Sequence, residues 1–412
     1  MALHRGDANP EATRDRSGPS ADAREVLAAF TRLGVTSFGG PTAHIGYFRT
    51  AFVHERRWLG EDVFAQYFAF ASLLPGPTSS QLGMLIGLHR AGPLGAAAAW
   101  LGFTLPSALL LMAAGLVGVG LDEGRAGWLA GLAAAAVGVV AWAVWGMAQG
   151  LLPDWPRRAI ALAGFAVTAL VAGAPGQFLT LALGAAAGAA LLRGKLPPPG
   201  ELAAAPLPGW FARAARIGFI VVLGLMAAAL VAGVGGLAGL VAGIVYAGTF
   251  IVGGGHVVLP LLETTVVEPG HIGTELFLAG YGLAQAVPGP LFTISAFLGA
   301  AAPAGGVVGS LVCLVAIFLP STLLMFAVLP VWREVQAWPA VRPALFGMGA
   351  AVTGLLAAAL VVVLIPKAIT SVGTAAVAVV VLALVASGRV PAWLTVLAAA
   401  AGGAALDLAG LM

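Results

Sequence analysis

Pro75-Gly76-Pro77 followed by Thr78-Ser79-Ser80-Gln81 is the segment of this chain best suited to chemistry. Two prolines remove two amide donors, and the glycine between them permits positive φ, so a helix must break there. Pro77 is pre-shaped for the first position of a new helix. The free amides at that helix start, with its dipole, favour an anion. The three hydroxyls and the Gln81 amide add donors. Donors without a fixed positive charge suit an ionised tetrahedral oxyanion that must be released again. A proline kink whose hydroxyls bond their own backbone would have the same sequence.

The segment has a second copy, and so do its neighbours. SFGGPTAHI at 37–45, LLPGPTSSQ at 73–81 and TLPSALLLM at 104–112 are followed, in the same order, by IVGGGHVVLP at 251–260, AVPGPLFTI at 286–294 and FLPSTLLMF at 318–326. Gly39-Gly40 matches Gly253-Gly254 at an offset of 214, Pro75-Gly76-Pro77 matches Pro288-Gly289-Pro290 at 213, and Pro106-Ser107 matches Pro320-Ser321 at 214. Three landmarks with nearly one offset mark a fused duplication, and matching kinks at that offset favour a site over an accidental bend. In an apolar chain, such a duplication points to a transporter with its site between the halves. The second copy continues Leu291-Phe292-Thr293-Ile294-Ser295 and is the more apolar, so Thr293 is its one candidate and half one supplies most of the polar contacts.

Gly39-Gly40-Pro41-Thr42 and Gly253-Gly254-Gly255-His256 are the other breaks. Consecutive glycines at bilayer depth are tolerated where they line a cavity or are buried in protein. Close helix packing through small residues is the competing reading: with 58 glycines in the chain it is strong for any lone glycine, and even with the site reading for Gly253-Gly254-Gly255-His256. His44 and His256 follow these breaks, without a second ligand at metal spacing, so no zinc or other metal is expected. Each histidine reads equally as a proton carrier or ligand donor, or as a ring bonded to a backbone carbonyl. Arg32 is the candidate fixed charge facing the anion, although snorkelling to the inner surface is the favoured reading for it and for Arg24. Glu263 is the candidate for proton coupling, against a favoured reading as a solvated loop end.

The elements that must position these residues are helices in a membrane. Of 412 residues, 60% are hydrophobic and 9% charged, against roughly 25% charged in a soluble domain. Apolar runs long enough to span, such as 94–120, 127–150 and 370–387, recur along the chain. The expectation is an all-α polytopic membrane protein with two homologous halves in inverted topology and broken or re-entrant helices at the glycine and Pro-Gly-Pro motifs. Residues 1–23 form a polar, disordered cytoplasmic tail with no secretory signal. The first repeat covers 24–193, a linker with an extra transmembrane helix covers 194–236, and the second repeat covers 237–412. Cys313 stands alone, so no internal disulfide forms.

Half one reads as irregular elements at 22–57 and 62–90, then spans at 94–120, 127–150, 157–173 and 176–192. Half two repeats this as 237–266 and 275–300, then 304–330, 341–365, 369–387 and 391–411. Each arm of 62–90 is about 20 Å long at 1.5 Å per residue, short of a roughly 30 Å bilayer core. Nine spans plus four hairpins is therefore favoured over thirteen spans. Hairpins also put the Arg49, Arg56 and Arg57 loop on the inside, in agreement with the positive-inside rule, and the acidic loop 262–275 outside.

The glycine signatures paired with Pro-Gly-Pro in each half resemble the chromate ion transporter family in its long, two-domain form. Phe38–Ile45, Leu74–Gly87, Gly253–Pro260 and Ala286–Pro290 carry the likeness. One departure is Phe250-Ile251-Val252, where half two of the family often has Phe directly before its glycines. The resemblance implies export of chromate from the bacterial cytoplasm across the inner membrane, with resistance as the result and sulfate as an isosteric competitor. By matching position, Gly39, Gly40, Pro41, His44, Pro75, Gly76 and Pro77 carry over in half one, and Gly253, Gly254, Gly255, Pro288, Gly289 and Pro290 in half two. The expected partners are chromate, sulfate, the lipid bilayer and a second copy of the chain in a homodimer, with no cofactor and no nucleic acid. A sulfate or other dianion transporter or channel of the same fold is the alternative. An intramembrane enzyme is disfavoured by the lack of any nucleophile–base motif, paired aspartates or phosphate loop.

Overall fold

The computed structural model describes residues 22–38, 40–118, 127–196, 202–203, 207–252, 255–303 and 305–410, without the side chains of Pro41, Thr42 and Ala392. Every regular element among them is helical. Among the described residues, six helices are long and apolar enough to cross a membrane.

Half one opens with α1 (Ala23–Thr36), α2 (Gly40–Arg49, continued by a π-turn at Thr50–Glu55), α3 (Glu61–Leu73) and α4 (Thr78–Gly118). Asp22 caps α1 by accepting from the Arg24 amide at 3.0 Å, and Val26, Phe30 and Leu33 form its buried face. α4 is two helices meeting at Ala91 and Gly92, where Gly92 has φ +64° and Pro93 starts the second. Three helices follow: α5 (Gly127–Leu151), α6 (Trp155–Leu170) and α7 (Gly173–Leu191). α8 (Gly209–Val231) stands between the halves with most of its surface uncovered.

Half two repeats the plan. α9 (Gly236–Phe250) precedes α10 (Val258–Leu262), which has a 3₁₀ turn before it and a π-turn after it at Glu263–Val267. α11 (Thr274–Ala286) and α12 (Ile294–Ala301) flank the second Pro-Gly-Pro. α13 (Gly306–Val328), the short α14 (Trp332–Ala337), α15 (Val341–Ala358) with a π-turn at Ala359–Leu364, α16 (Ile365–Ala368), α17 (Val372–Ser387) and α18 (Ala392–Leu408) complete the chain. The two π-turns Thr50–Glu55 and Glu263–Val267 stand at the repeat offset, so the duplication extends to local backbone geometry.

The irregular elements are helical hairpins. Tyr67 on α3 and His89 on α4 are hydrogen-bonded at 3.1 Å although 22 residues apart; a straight helix would separate them by about 33 Å. Phe30 stacks on Phe52 with ring centroids 4.7 Å apart. In half two, Thr265 donates to the Gly243 carbonyl at 3.1 Å, and Gly280 lies against the Phe297 ring. Contacts thus join the two arms of each hairpin; in the first they run through the Phe30, Phe48 and Phe52 rings, while α1 itself packs along α4.

The halves embrace through glycine. An added Cβ at Gly188 on α7 would meet Pro343 and Gly347 of α15, and one at Gly131 on α5 would meet Ala399 and Gly403 of α18. Much of the glycine content is explained this way: small residues let helix backbones approach closely where lipid offers no hydrophobic drive between helices.

Candidate functional site

Both Pro-Gly-Pro corners turn on a glycine with positive φ, +121° at Gly76 and +104° at Gly289. Each corner reaches into the opposite half. The Gly76 amide donates to the Ile251 carbonyl at 2.7 Å, and the Gly289 amide donates to the Ser37 carbonyl at 3.1 Å. Ser37 and Ile251 are repeat mates at an offset of 214, each just before its own glycine break. A Cβ at Gly76 would meet Ser321, with the Ser321 Oγ at 2.8 Å; a Cβ at Gly289 would stand 2.8 Å from the Ser107 Oγ. Ser107 and Ser321 are also repeat mates. The corners thus meet Ser37 and Ile251, which precede the glycine breaks in sequence, and the serines of the Pro-Ser landmarks in two crossed junctions.

The junctions differ in polarity. At the Gly76 corner, Ser79, Ser80 and Gln81 are buried, and Thr78 is half-buried. The Gln81 Nε2 donates to the Pro75 carbonyl at 2.8 Å, so this amide ties down the corner and its Oε1 is left without a partner. The Ser80 Oγ is buried and unpaired as well. The repeat mates of Ser79 and Gln81, at the 213 offset, are Phe292 and Ile294. Thr293 spends its hydroxyl on the Pro290 carbonyl at 2.7 Å, and Ser295 returns its own to Phe292 at 2.9 Å.

At the Gly289 corner the polar groups again come from half one. The Ser37 carbonyl accepts from Gly289 and lies 3.3 Å from the His44 Nε2. That acceptor assigns the hydrogen to Nε2 and leaves the buried Nδ1 unpaired. The Ser37 Oγ and Thr104 Oγ1 are fully buried and also unpaired. The Ser107 Oγ donates to the Thr104 carbonyl at 3.0 Å. At the 214 offset, Ser37, His44 and Thr104 correspond to Ile251, Val258 and Phe318.

Ser37, Thr104 and Ser107 were not among the sequence candidates. The signal for Ser107 was present in the Pro-Ser landmark, and that for Ser37 in its place directly before the first glycine break. Gly40 has φ +76° and Gly255 is buried. Gly39, Gly253 and Gly254 lie outside the described residues, as do the side chains of Pro41 and Thr42 and most of the tail 1–23.

His256 is half-buried, with its Nδ1 2.9 Å from the Tyr281 hydroxyl and 3.4 Å from the Gln285 Nε2. It is held by α11 rather than by a backbone carbonyl. Arg32 is exposed on α1 and is not brought to either junction. Glu263 is not a solvated loop end: it is buried and paired with the Lys367 Nζ at 2.6 Å. Among the described residues, no group of three His, Cys, Asp or Glu is placed to hold a metal.

Two like halves of helical hairpins and apolar helices, interlocked at broken-helix corners, define a membrane protein of the duplicated transporter class. The chromate transporter family model matches residues 24–189 and again residues 238–404. The chain belongs to that family. It is 29% identical over 352 residues to a probable chromate transport protein of Synechococcus elongatus, covering 84% of this chain and 85% of that one. A chromate transport protein of Pseudomonas aeruginosa is 29% identical over 84% of this chain and 82% of its own length. One of Cupriavidus metallidurans is 28% identical over 89% of each. These relatives are transport proteins, not enzymes. No solved structure matches the chain significantly.

Proposed function

We propose that this protein exports chromate from the bacterial cytoplasm across the inner membrane by alternating access and thereby confers chromate resistance. The observation that carries the reading is the crossed pair of corners, Gly76 on Ile251 and Gly289 on Ser37. A substrate seated there contacts both halves at once, so rocking one half against the other changes the side to which it is exposed.

The binding groups are the free amides at the start of α4, the Ser79 and Ser80 hydroxyls, and the Ser37 and Thr104 hydroxyls. A tetrahedral dianion accepts several hydrogen bonds, and neutral donors in a site of low dielectric stabilise it without trapping it. Sulfate has the same charge and shape, so the same donors serve it, and a general dianion transporter is the second reading.

Uptake of labelled chromate into energised everted vesicles, with sulfate as competitor, tests the reading. Accumulation that sulfate barely inhibits supports a chromate exporter. Strong sulfate inhibition favours the general dianion site, and absence of accumulation overturns export.

A further inference from the structure

Away from the corners, a cavity of about 90 Å³ lies between α7, the π-turn Glu263–Val267 and the π-turn Ala359–Leu364. π-Turns interrupt the helical hydrogen-bond ladder and are frequent at functional sites.

Gln177 of α7 lines this cavity and is 4% exposed. Its Nε2 donates to the Pro260 carbonyl at 2.8 Å and to the Thr264 Oγ1 at 2.7 Å. The Pro260 carbonyl can only accept, which settles the orientation of the amide: reversed, it would set two acceptors against each other. The Gln177 Oε1 is thereby left buried with no partner. A buried acceptor in that state calls for a donor or a cation.

The charges around it select a cation. Glu263 and Glu268 both line the cavity. Lys367 neutralises Glu263, which leaves one net negative charge. The Glu268 Oε2 is at the mouth, 3.4 Å from the point where a Cβ on Gly173 would stand, a point 4.0 Å from the Thr264 Cγ2. Glu268 and Thr264 thus both approach Gly173 at the start of α7, on the wall of the same cavity. All the available ligands are hard oxygens, which suit alkali and alkaline-earth ions. One net charge and a space for about one ion with its waters fit a monovalent ion.

We infer that Gln177, Thr264, Glu263 and Glu268 form a binding site for a small monovalent cation, Na⁺. The site joins α7 of half one to a hairpin of half two, so an ion here responds to any rocking of the halves. A role in coupling rests on the transport reading; binding itself does not.

The test is binding of radiolabelled Na⁺ to the purified full-length protein in lipid nanodiscs, with no oxyanion present. The expected result is saturable binding, weakened at least tenfold by Gln177→Leu and by Glu268→Gln, and unchanged by Glu61→Gln, which removes an exposed acid elsewhere. If Gln177→Leu fails to give a monodisperse protein, Glu268→Gln decides, because its side chain is at the cavity mouth and needs no repacking. Absence of saturable binding by the native protein, or native affinity in the folded variants, overturns the site. Since the assay contains no chromate, failure of chromate transport leaves this result standing.

Discussion

The Gly76 amide is bonded to the Ile251 carbonyl at 2.7 Å, across the boundary between the two halves. Its mate runs the other way, from the Gly289 amide to the Ser37 carbonyl at 3.1 Å. Each hairpin tip is therefore anchored on backbone that belongs to the other half, just ahead of a glycine break. Neither half can complete its corner alone. Any large motion of one half against the other must break these bonds or carry both partners along.

Glycine is required at both tips, for two reasons. φ is +121° at Gly76 and +104° at Gly289, and backbone in that region costs roughly 1–3 kcal/mol with a side chain. An added Cβ would also strike Ser321 at the first corner and lie 3.2 Å from the Phe103 carbonyl at the second. Gly76→Ala and Gly289→Ala should each lower chromate transport at least tenfold in everted vesicles. Adding Ser321→Gly to Gly76→Ala relieves the Ser321 contact but leaves the Gln81 Nε2 at 2.8 Å and the dihedral strain, so recovery should be partial. Full activity in either single variant refutes the corner assignment.

The hydroxyls should act unequally. Ser80 is buried with no partner, whereas Thr293 and Ser295 spend theirs on their own backbone. A hydrogen bond to a charged group is worth about 1.5–3 kcal/mol, so Ser79→Ala with Ser80→Ala should raise the half-saturating chromate concentration by 100-fold or more. Thr293→Val with Ser295→Ala should change it less than threefold. The comparison needs membrane levels matched by immunoblot, and equal losses in the two double variants would refute the asymmetry.

How far the sequence reached follows from what local chemistry encodes. Proline and glycine dictate breaks wherever they stand, so both corners and all four hairpins could be read from residue order and arm length. The partners across the junctions could not, because hydrogen bonds such as Gly289 to Ser37 or Gln177 to Pro260 join segments with no local relation. Arg32, two residues from Phe30 on a helix of 3.6 residues per turn, points away from the buried face of α1 and is exposed. Glu263 reads as a loop end in the sequence because Lys367, its counter-charge, is 104 residues away.

Two ion pairs at similar distance should differ in worth. Arg49 and Glu61 meet at 2.6 Å with about half of each side chain exposed, and such pairs contribute about 0–1 kcal/mol. Glu263 and Lys367 also meet at 2.6 Å, but the Glu263 side chain is 7% exposed. Removing its partner strands a buried charge, at a cost of about 3 kcal/mol, the low end for buried pairs because Lys367 is partly solvated. Lys367→Met should therefore lower thermal stability in detergent well beyond Arg49→Met, and Glu263→Gln should restore it. Equal shifts for the two single variants would contradict the burial argument.

Protons should compete for the proposed cation site. Burial, and then the Glu263 charge, push the Glu268 carboxyl above its ordinary value, with Lys367 opposing. The other groups lining the cavity, Thr168, Gln177 and Thr264 among them, carry no charge. Below its raised pKa, Glu268 holds a proton on the oxygen that Na⁺ needs. Na⁺ affinity should therefore be full at high pH and fall as pH drops, beginning above the usual carboxylate range. Glu268→Gln should flatten this pH dependence, and a native profile independent of pH would exclude Glu268 as a ligand.

Inverted halves demand that equivalent loops face opposite sides of the membrane. The loop of half one holds Arg49, Arg56 and Arg57, while its counterpart, 262–275, holds Glu263, Glu268 and Glu275 and no lysine or arginine. Positive charge is retained in the cytoplasm during insertion, so the first loop should be inside and the second outside. Arg56 and Glu275 are both exposed in the fold, and the native Cys313 is buried, so a cysteine at either position can be labelled against a silent background. In intact cells an impermeant maleimide should label Glu275→Cys and spare Arg56→Cys; in everted vesicles the pattern should reverse. Labelling of both from one side would make the repeats parallel. Alternating access between inverted halves would then lose its topological basis.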